Sequence, residues 1–270
     1  MDILSFIGLA LGFGAIIVSM TLDGGNLLAL LQLSAAVIVG GGTFGAVLLQ
    51  TPMSVFMRGM KMAIWVFFPP RDDREERLHL LTDWLRIARH QFVLALDPVA
   101  EQQTDPFMRQ GLRLVVDGMD AAQIRTVLES IITTQGHEEK LGAEIYEAMG
   151  GYAPTVGILG AVMGLITVMS HLDDPSKLGS GIATAFVATV YGVASANLVC
   201  LPIAGKLKLI VRRRMRTLEM VTEGMVGIAI MESPLQLEMR LRSYLEDAKG
   251  EPSSGGEDAA APSAAAAPAE

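Results

Sequence analysis

One cysteine in 270 residues, Cys200, leaves no internal disulfide and cannot by itself build a zinc site. Aromatic residues are also scarce, at 6%, too few for the core of an ordinary soluble domain of this length. Basic groups are outnumbered, 21 against 29 acidic ones, giving a net charge of −8 and a pI near 5.1. That balance disfavours nucleic acid, whose phosphates require clustered Lys and Arg. What the chain has instead is 51% apolar content, 28 glycines, 16 methionines and a mean hydropathy of +0.41. Membrane helices tolerate glycine far better than soluble ones, so composition points to a membrane protein.

Four stretches contain no Asp, Glu, Lys or Arg and approach or exceed the roughly 20 helical residues that cross a hydrocarbon core: Ile3–Leu22, Leu28–Leu49, Ala153–Ser170 and Gly181–Gly205. The first pair is joined by Asp23-Gly24-Gly25-Asn26 and the second by Leu172 to Lys177. Both links are turn-rich and short, which predicts two antiparallel helical hairpins. The first run does not read as a cleaved signal peptide, because Asp2 stands where a basic region belongs and a second span follows at once. Lys206, Lys208, Arg212, Arg213, Arg214 and Arg216 follow the fourth span, Arg58 and Lys61 follow the second, and the short links hold only Lys177. The positive-inside rule then places both termini and the long loop in the cytoplasm.

The loop from Gln50 to Tyr152 is long enough for a helical domain. Leu78, Leu81, Leu85, Ala88 and Phe92 recur at helical spacing, with Asp97-Pro98 expected to stop that helix. Asp105-Pro106 reads as a cap with proline in the first turn, starting a helix that ends at Asp117-Gly118. Asp120 caps a longer helix running toward Met149. The basic segment continues as an amphipathic helix through Leu218 and Met225, and Leu235–Tyr244 forms another. Composition then collapses to Gly, Ser, Pro, Ala and acid, an unstructured tail that carries Glu251, Glu257, Asp258 and Glu270, half of the net −8. The expected fold is therefore an all-α membrane protein with four transmembrane helices in two hairpins and a cytoplasmic helical domain between helices 2 and 3. Its divisions fall at 1–49, 50–152, 153–205, 206–249 and 250–270.

Catalytic chemistry finds no foothold. The four histidines are scattered, His137-Glu138-Glu139-Lys140 lacks the second His of a metalloprotease motif, and there is no phosphate loop and no Gly-x-Ser-x-Gly. Neither a cofactor nor a metal is expected. Small residues at four-residue spacing, Gly8/Gly12, Gly41/Gly45 and Gly160/Gly164, allow close helix approach within a subunit or between subunits. No carboxylate lies inside any span, although ion-conducting membrane proteins place ionisable groups there. Spans three and four do carry Pro154, Thr155, Thr167, Thr184, Thr189, Tyr191, Ser195, Asn197 and Pro202. Each hydroxyl alone reads as a back-bond to its own helix. Their density reads as a wall facing something polar. If ions pass, the titrating carboxylate comes from a partner.

The run Gly150 to Ile166, then Asp173-Asp174-Pro175, Ala188-Thr-Val-Tyr-Gly and Asn197 through Pro202 to Lys206, resembles the flagellar stator A-subunits (MotA/PomA), relatives of TolQ and ExbB. The opening Asp2–Gly14 and the closing Glu232-Ser-Pro to Leu241-Arg-Ser-Tyr-Leu fit as well. The resemblance implies five such subunits around two single-span B-subunits (MotB/PomB-like), whose membrane Asp binds the ion. It implies that Pro154 and Pro202 couple ion passage to movement, and that Arg89 and Asp97 contact the rotor's switch protein (FliG-like). Eight residues of helix would set those two charges about 12 Å and about 80° apart, too far for an easy mutual ion pair. The chain departs from the family pattern in three places. Gly151 stands where some members have Asp, and Phe92 stands where many have Gly. Ala161 replaces the Thr of sodium-driven members, while Thr189, kept in both kinds, is present, so the resemblance implies protons. The implied role is a multi-pass inner-membrane subunit converting proton flow into torque, with no nucleic acid involved. The alternatives are a TolQ/ExbB-like energiser of outer-membrane processes, though those relatives have three spans, and a non-conducting membrane scaffold.

Overall fold

The computed structural model describes residues 2–22, 24–25, 27–171 and 175–250. Asp23 and Asn26 of the first link, Leu172, Asp173 and Asp174 of the second, and the acidic tail from Glu251 lie outside the described residues. Within them every element is helical: α1 Ile3–Leu22, a 3₁₀ turn Leu27–Leu30, α2 Leu33–Gln50, α3 Met53–Phe67, α4 Arg74–Gln91, a 3₁₀ turn Val93–Leu96, α5 Asp97–Gln102, α6 Pro106–Val116, α7 Ala121–Met169, α8 Pro175–Ala194, a π-helical turn Ser195–Cys200, α9 Leu201–Ala229 and α10 Pro234–Gly250.

Four helical stretches are long and apolar enough to cross a membrane: Ile3–Leu22, Leu27–Gln50, part of Ala121–Met169 and part of Gly181–Ala229. The twenty residues of α1 reach about 30 Å, the thickness of a hydrocarbon core. None of them is buried within the chain, and Leu4 and Leu11 are 79% and 68% exposed, as befits a helix whose solvent is lipid. The third and fourth spans are not separate helices. The helix capped by Asp120 runs on past Met149 to Met169 with Pro154 in its interior, and the fourth span passes through the π turn directly into α9. Proline removes one intrahelical bond without ending a helix whose neighbours hold it on both sides.

Contacts divide the chain into two compact units, Met1–Asp72 with Thr126–Glu219, and Asp73–Arg125 with Met220–Glu270. The first contains the apolar spans. One of its cores joins Ala35 and Val39 of α2 to Val187 and Ala188 of α8. A second joins Val47, Met62, Val66, Ala143, Ile145, Tyr146, Met149, Ala204, Leu207 and Val211. Gly59 of α3 lies against the Gly142 carbonyl, where an added Cβ would stand 2.7 Å from that oxygen, so α3 hugs α7. The Tyr146 phenol donates to the Gly59 carbonyl at 3.0 Å, and burial pushes its pKa up to about 12. Arg214 lies over the Trp65 ring at 5.6 Å and pairs with Glu139 at 3.0 Å.

The second unit has its own buried apolar residues, among them Leu78, Leu81 and Leu85 of α4, Leu96, Leu112, Ile124, Met225 and Leu237. Gly224 and Gly111 admit core side chains closely: a Cβ on the first would meet Leu81 at 2.6 Å and on the second Met225 at 2.8 Å. Both expected caps are present. Asp105 accepts from the Phe107 and Met108 amides at 2.8 and 3.2 Å. Asp120 and Gln123 form a reciprocal capping box, Gln123 N–H to Asp120 at 2.9 Å and the return bond at 3.4 Å. The end of α4 differs from expectation. The helix stops at Gln91 because Phe92 adopts φ 66°, ψ 163°, a region almost reserved for glycine. Asp97-Pro98 therefore stops nothing. It opens α5, where proline's fixed φ suits the first turn.

Two outcomes follow from these ends. Burial tends to raise the Asp105 pKa, but the Met108 amide, the Arg77 guanidinium at 2.7 Å and the Phe107 amide outweigh it and hold the carboxyl below its usual value. A depressed carboxylate stabilises the fold above its unfolded pKa, about 4, and the contribution is lost as pH falls through the folded value. Asp105→Asn keeps the cap and removes the charge, so it should cost about 1–2 kcal/mol at neutral pH. The gap between variant and parent in thermal unfolding should close as the pH falls below about 4. A gap constant with pH contradicts the assignment. Phe92→Gly removes strain of about 1–3 kcal/mol at a side chain that is 80% exposed, against a glycine entropy cost of about 0.5–1 kcal/mol. The purified variant should melt a few degrees higher than the parent, and a lower midpoint counts against the strain.

Candidate functional site

Helix α7 approaches α8 as closely as two backbones can, and small residues make this possible. A Cβ on Gly157 would stand 2.9 Å from the Ala188 carbonyl and 3.2 Å from Gly192 Cα. One on Gly192 would stand 2.5 Å from the Ala153 carbonyl, and one on Gly164 would strike the Ala185 backbone at 2.8 Å. Gly160, singled out by its spacing, faces Ala188 and Ile38, so Gly160/Gly164 serve packing inside the subunit. Gly8, Gly41 and Gly45 meet nothing within 4 Å of an added Cβ, while Gly12 faces Leu198.

Pro154 lies along this seam, and Pro202 follows it in the first turn of α9. Pro154 lies half-buried in the turn from Ala153 to Gly157 that packs on Ala188–Gly192. Thr189 belongs to that facing stretch; its Cα would be 3.4 Å from a Cβ on Gly157, and its half-buried hydroxyl donates back to the Ala185 carbonyl at 3.5 Å. Ala161 is half-buried two turns further along α7. Pro202 is exposed, but its neighbour Leu201 packs on Gly150, where a Cβ would meet it at 2.6 Å. Gly150 is the residue four before Pro154, whose carbonyl loses its usual intrahelical donor. The two proline turns therefore share one contact, Gly150 against Leu201. Spacing did not single out Gly150, Gly157 and Gly192, because they do not repeat every fourth residue; the signal was the small-residue series Gly157, Gly160 and Gly164 at helical spacing.

Fourth-span geometry is unusual just before Pro202. Residues Ser195–Cys200 are π-helical, and the Leu201 amide reaches back to the Ala196 carbonyl. Proline at 202 has no amide to donate, and the wider turn re-registers the chain ahead of it. Ser195 donates to the Gly192 carbonyl at 3.1 Å and the Asn197 side chain to the Val193 carbonyl at 2.9 Å. Thr155 and Thr167 likewise donate to Tyr152 and Met163 carbonyls, at 2.8 and 3.1 Å. Most polar side chains of these spans thus satisfy themselves locally. Thr155, Thr167 and Asn197 are nonetheless exposed and leave acceptor positions available. Among the described residues no Asp or Glu lies within the four apolar stretches, and no group of three or more His, Cys, Asp and Glu is placed to hold a metal ion.

Arg89 and Asp97 do not share one helix. Arg89 sits in the last turn of α4 and Asp97 begins α5, with the Phe92 break and a 3₁₀ turn between them. Both are exposed, but Arg89 has an internal engagement, donating to the Glu232 carbonyl at 3.0 Å. Glu232 is tied in turn to Arg240 at 2.5 Å, and Arg240 to Glu223 at 2.8 Å, which Arg125 also contacts. That network runs between segments far apart in the chain.

Comparison with known proteins gives a consistent result. Residues 6–91 match the motility protein A N-terminal family and residues 99–220 the MotA/TolQ/ExbB proton channel family. The chain is 34% identical to motility protein A of Bacillus subtilis over 247 residues, 91% of each chain. It is 32% identical to the chemotaxis protein PomA of Vibrio alginolyticus, covering 92% of this chain and 97% of that one. Among solved structures it is similar to MotAB of C. jejuni, with TM-score 0.84 and 30% identity over 90% of this chain and 96% of the other. It is also similar to the flagellar MotAB stator complex of Bacillus subtilis, with TM-score 0.81 and 33% identity over 92% and 98%. The four-span all-α fold and these likenesses agree: the chain belongs to the MotA/PomA family of flagellar stator subunits, within the MotA/TolQ/ExbB superfamily.

Proposed function

We propose that this chain is the A-subunit of a proton-driven flagellar stator, turning proton flow across the inner membrane into torque together with a single-span B-subunit. The observation that carries the reading is the seam of α7 with α8 and α9. It brings both proline turns to one glycine contact in spans that hold no carboxylate of their own. A charge moving on a partner's carboxylate would meet a wall of back-bonded hydroxyls and two helix turns already short of one hydrogen bond each. Those turns have the least backbone bonding to lose when a neighbouring charge appears or disappears.

The sequence of events is as follows. A proton binds the B-subunit's membrane Asp, the neutral group passes Pro154 and Pro202, and release on the cytoplasmic side restores the charge. One elementary charge crossing 100 mV releases about 2.3 kcal/mol, so a few protons per step suffice without nucleotide. Displacement at Pro154 passes along α7, a single helix from its Asp120 cap. Five A-subunits surround two B-subunits and step around them. Arg89 and Asp97 meet the rotor's switch protein. Both termini lie in the cytoplasm on this reading, which the basic residues after the fourth span support. Ala161, which offers no hydroxyl to a bare cation, supports protons over sodium. The first hairpin, matched in the motility protein A N-terminal family, favours this reading over a TolQ/ExbB-like energiser.

In a motile host lacking its own A-subunit, Pro154→Leu should leave cells flagellated and the stator complex assembled, with swimming abolished. Swimming unimpaired by Pro154→Leu contradicts the coupling role. Arg89→Ala should cut torque severalfold, as read from tethered-cell rotation under load. It also removes the bond to the Glu232 carbonyl, so Asp97→Ala, whose carboxylate is not part of that bond, serves as the companion variant. Full torque in both excludes the rotor contact.

Ion choice is read separately. Proton flux into vesicles should require both A- and B-subunits and be absent with the A-subunit alone. Swimming speed should survive sodium removal and collapse with a protonophore. A speed that tracks sodium concentration overturns the proton assignment.

A further inference from the structure

Within the second unit, the turn between α9 and α10 carries the carbonyl that holds Arg89, and three constraints fix that carbonyl. On its N-terminal side α9 closes with a Schellman pair of backbone bonds, the Glu232 amide to the Gly227 carbonyl at 3.0 Å and the Met231 amide to the Ile228 carbonyl at 3.1 Å. On its C-terminal side α10 starts at Pro234, and the Leu237 amide donates to the Ser233 carbonyl at 3.0 Å. Those bonds alone leave the turn strained, because Met231 takes φ 52° at the position where such caps use glycine. The third constraint is the Glu232 side chain.

Arg240 directs both of its terminal nitrogens at this turn and at the helix before it. Its Nη2 donates to the Glu232 carboxylate at 2.5 Å and to the Glu223 carbonyl at 3.3 Å, and its Nη1 donates to the Glu223 carboxylate at 2.8 Å. The other Glu223 carboxylate oxygen takes Arg125, from near the start of α7. Two guanidiniums thus meet two carboxylates. The carboxylates of Glu223 and Glu232 are only 14% and 18% exposed, so water competes little for either. Room for this pairing exists because residue 227 is glycine: a Cβ there would stand 2.8 Å from Glu232 Oε2 and 3.1 Å from Arg240 Nη2.

We propose that Glu223, Arg240 and Glu232 are positioning residues for Arg89, holding the Glu232 carbonyl where it orders the Arg89 guanidinium for the rotor's switch protein. The inference rests on the rotor contact proposed above. Arg89 is exposed in the last turn of α4, where an untethered arginine samples many rotamers and loses that freedom at each encounter. Its Nη1 donation to the Glu232 carbonyl at 3.0 Å removes the freedom beforehand. A guanidinium carries more N–H donors than one carbonyl takes, so donors remain for a carboxylate on the partner. Without the tie from Glu232 to Arg240 the strained turn relaxes, and the carbonyl turns with it.

The test uses variants that leave Arg89 and the Glu232 backbone in place: Glu232→Ala, which keeps Arg240 on Glu223, and Arg240→Met. In the purified complex of this chain with its B-subunit, phenylglyoxal should modify Arg89 about threefold faster or more in both variants, as one weakened hydrogen bond would allow. Peptide mass spectrometry reads the rate. Arg77, whose side chain is 16% exposed and held by Asp73 and Asp105, should stay slow, which a general loosening of the fold would not permit. In motile cells Glu232→Ala should cut torque under load. Added to Arg89→Ala it should cost nothing further, since residues acting through one contact are not additive. An Arg89 modification rate unchanged in both variants overturns the network, as does a Glu232→Ala torque loss of the same size in the Arg89→Ala background. Full torque in Arg89→Ala alone overturns the rotor contact, and with it the purpose assigned to the network.

Discussion

Hydrocarbon offers no hydrogen-bond partner, and that constraint organises the membrane part of this chain. Threonine, serine and asparagine side chains in the third and fourth spans turn back to carbonyls of their own helices. Two prolines break the ladder deliberately, one inside α7 and one directly after the π turn. Each leaves a carbonyl without its usual intrahelical donor. Close packing by neighbouring helices holds these turns, with Gly157 and Gly192 at backbone contact and Gly150 against the Leu201 side chain. The glycines, the prolines and the hydroxyls form one solution to one problem. A larger side chain at any of the three glycines would force apart the helices that make the prolines tolerable.

Legibility in the sequence followed the strength of the local signal. The first span was readable to the residue, because an uninterrupted apolar run with charged flanks has no competing interpretation. The Asp105 and Asp120 caps were readable for the same reason: a short polar residue before an apolar periodicity has one stable use. What could not be read was continuity and interruption. Pro154 and the Gly150-Gly151 pair look like a boundary between a soluble helix and a span, yet tertiary packing carries α7 straight through them. Conversely, nothing in the pattern Leu85, Ala88, Phe92 marks a break, since Phe92 continues the apolar spacing while its backbone leaves the helix. The spacing sets Arg89 and Asp97 on one helix, and the structure differs. They belong to different helices, and Arg89 already holds a backbone carbonyl 143 residues away.

Charge shows the same division between local and tertiary information. The basic stripe after the fourth span reads as a topology signal, and its side chains also do structural work. Lys206 pairs with Asp2 and with the Ser5 hydroxyl, fastening the start of α1 to α9. Lys208 reaches Glu147 at 2.5 Å, and Arg214 reaches Glu139 at 3.0 Å. Carboxylates that are missing from the spans reappear just beyond them, where water and cations share the cost of holding charge. The net charge of the chain conveys none of this. Placement of each carboxylate relative to the hydrocarbon is the quantity with mechanical meaning.

A strained residue persists only where its surroundings over-determine it. Phe92 is flanked by such surroundings: Leu85 and Ala88 are buried on one side, Leu96 is buried on the other, and Arg89 is fastened to the Glu232 carbonyl. The turn at Glu232 is itself tight, with Met231 at φ 52°. The segment from Arg89 to Asp97 is thus held at both ends by buried leucines and in the middle by a conformation that only those anchors can sustain. A segment so anchored is stiff, because neither end can shift without breaking buried packing. Arg89 and Asp97 are both exposed on this braced segment, so the positions of the two charges are fixed by the packing beneath them.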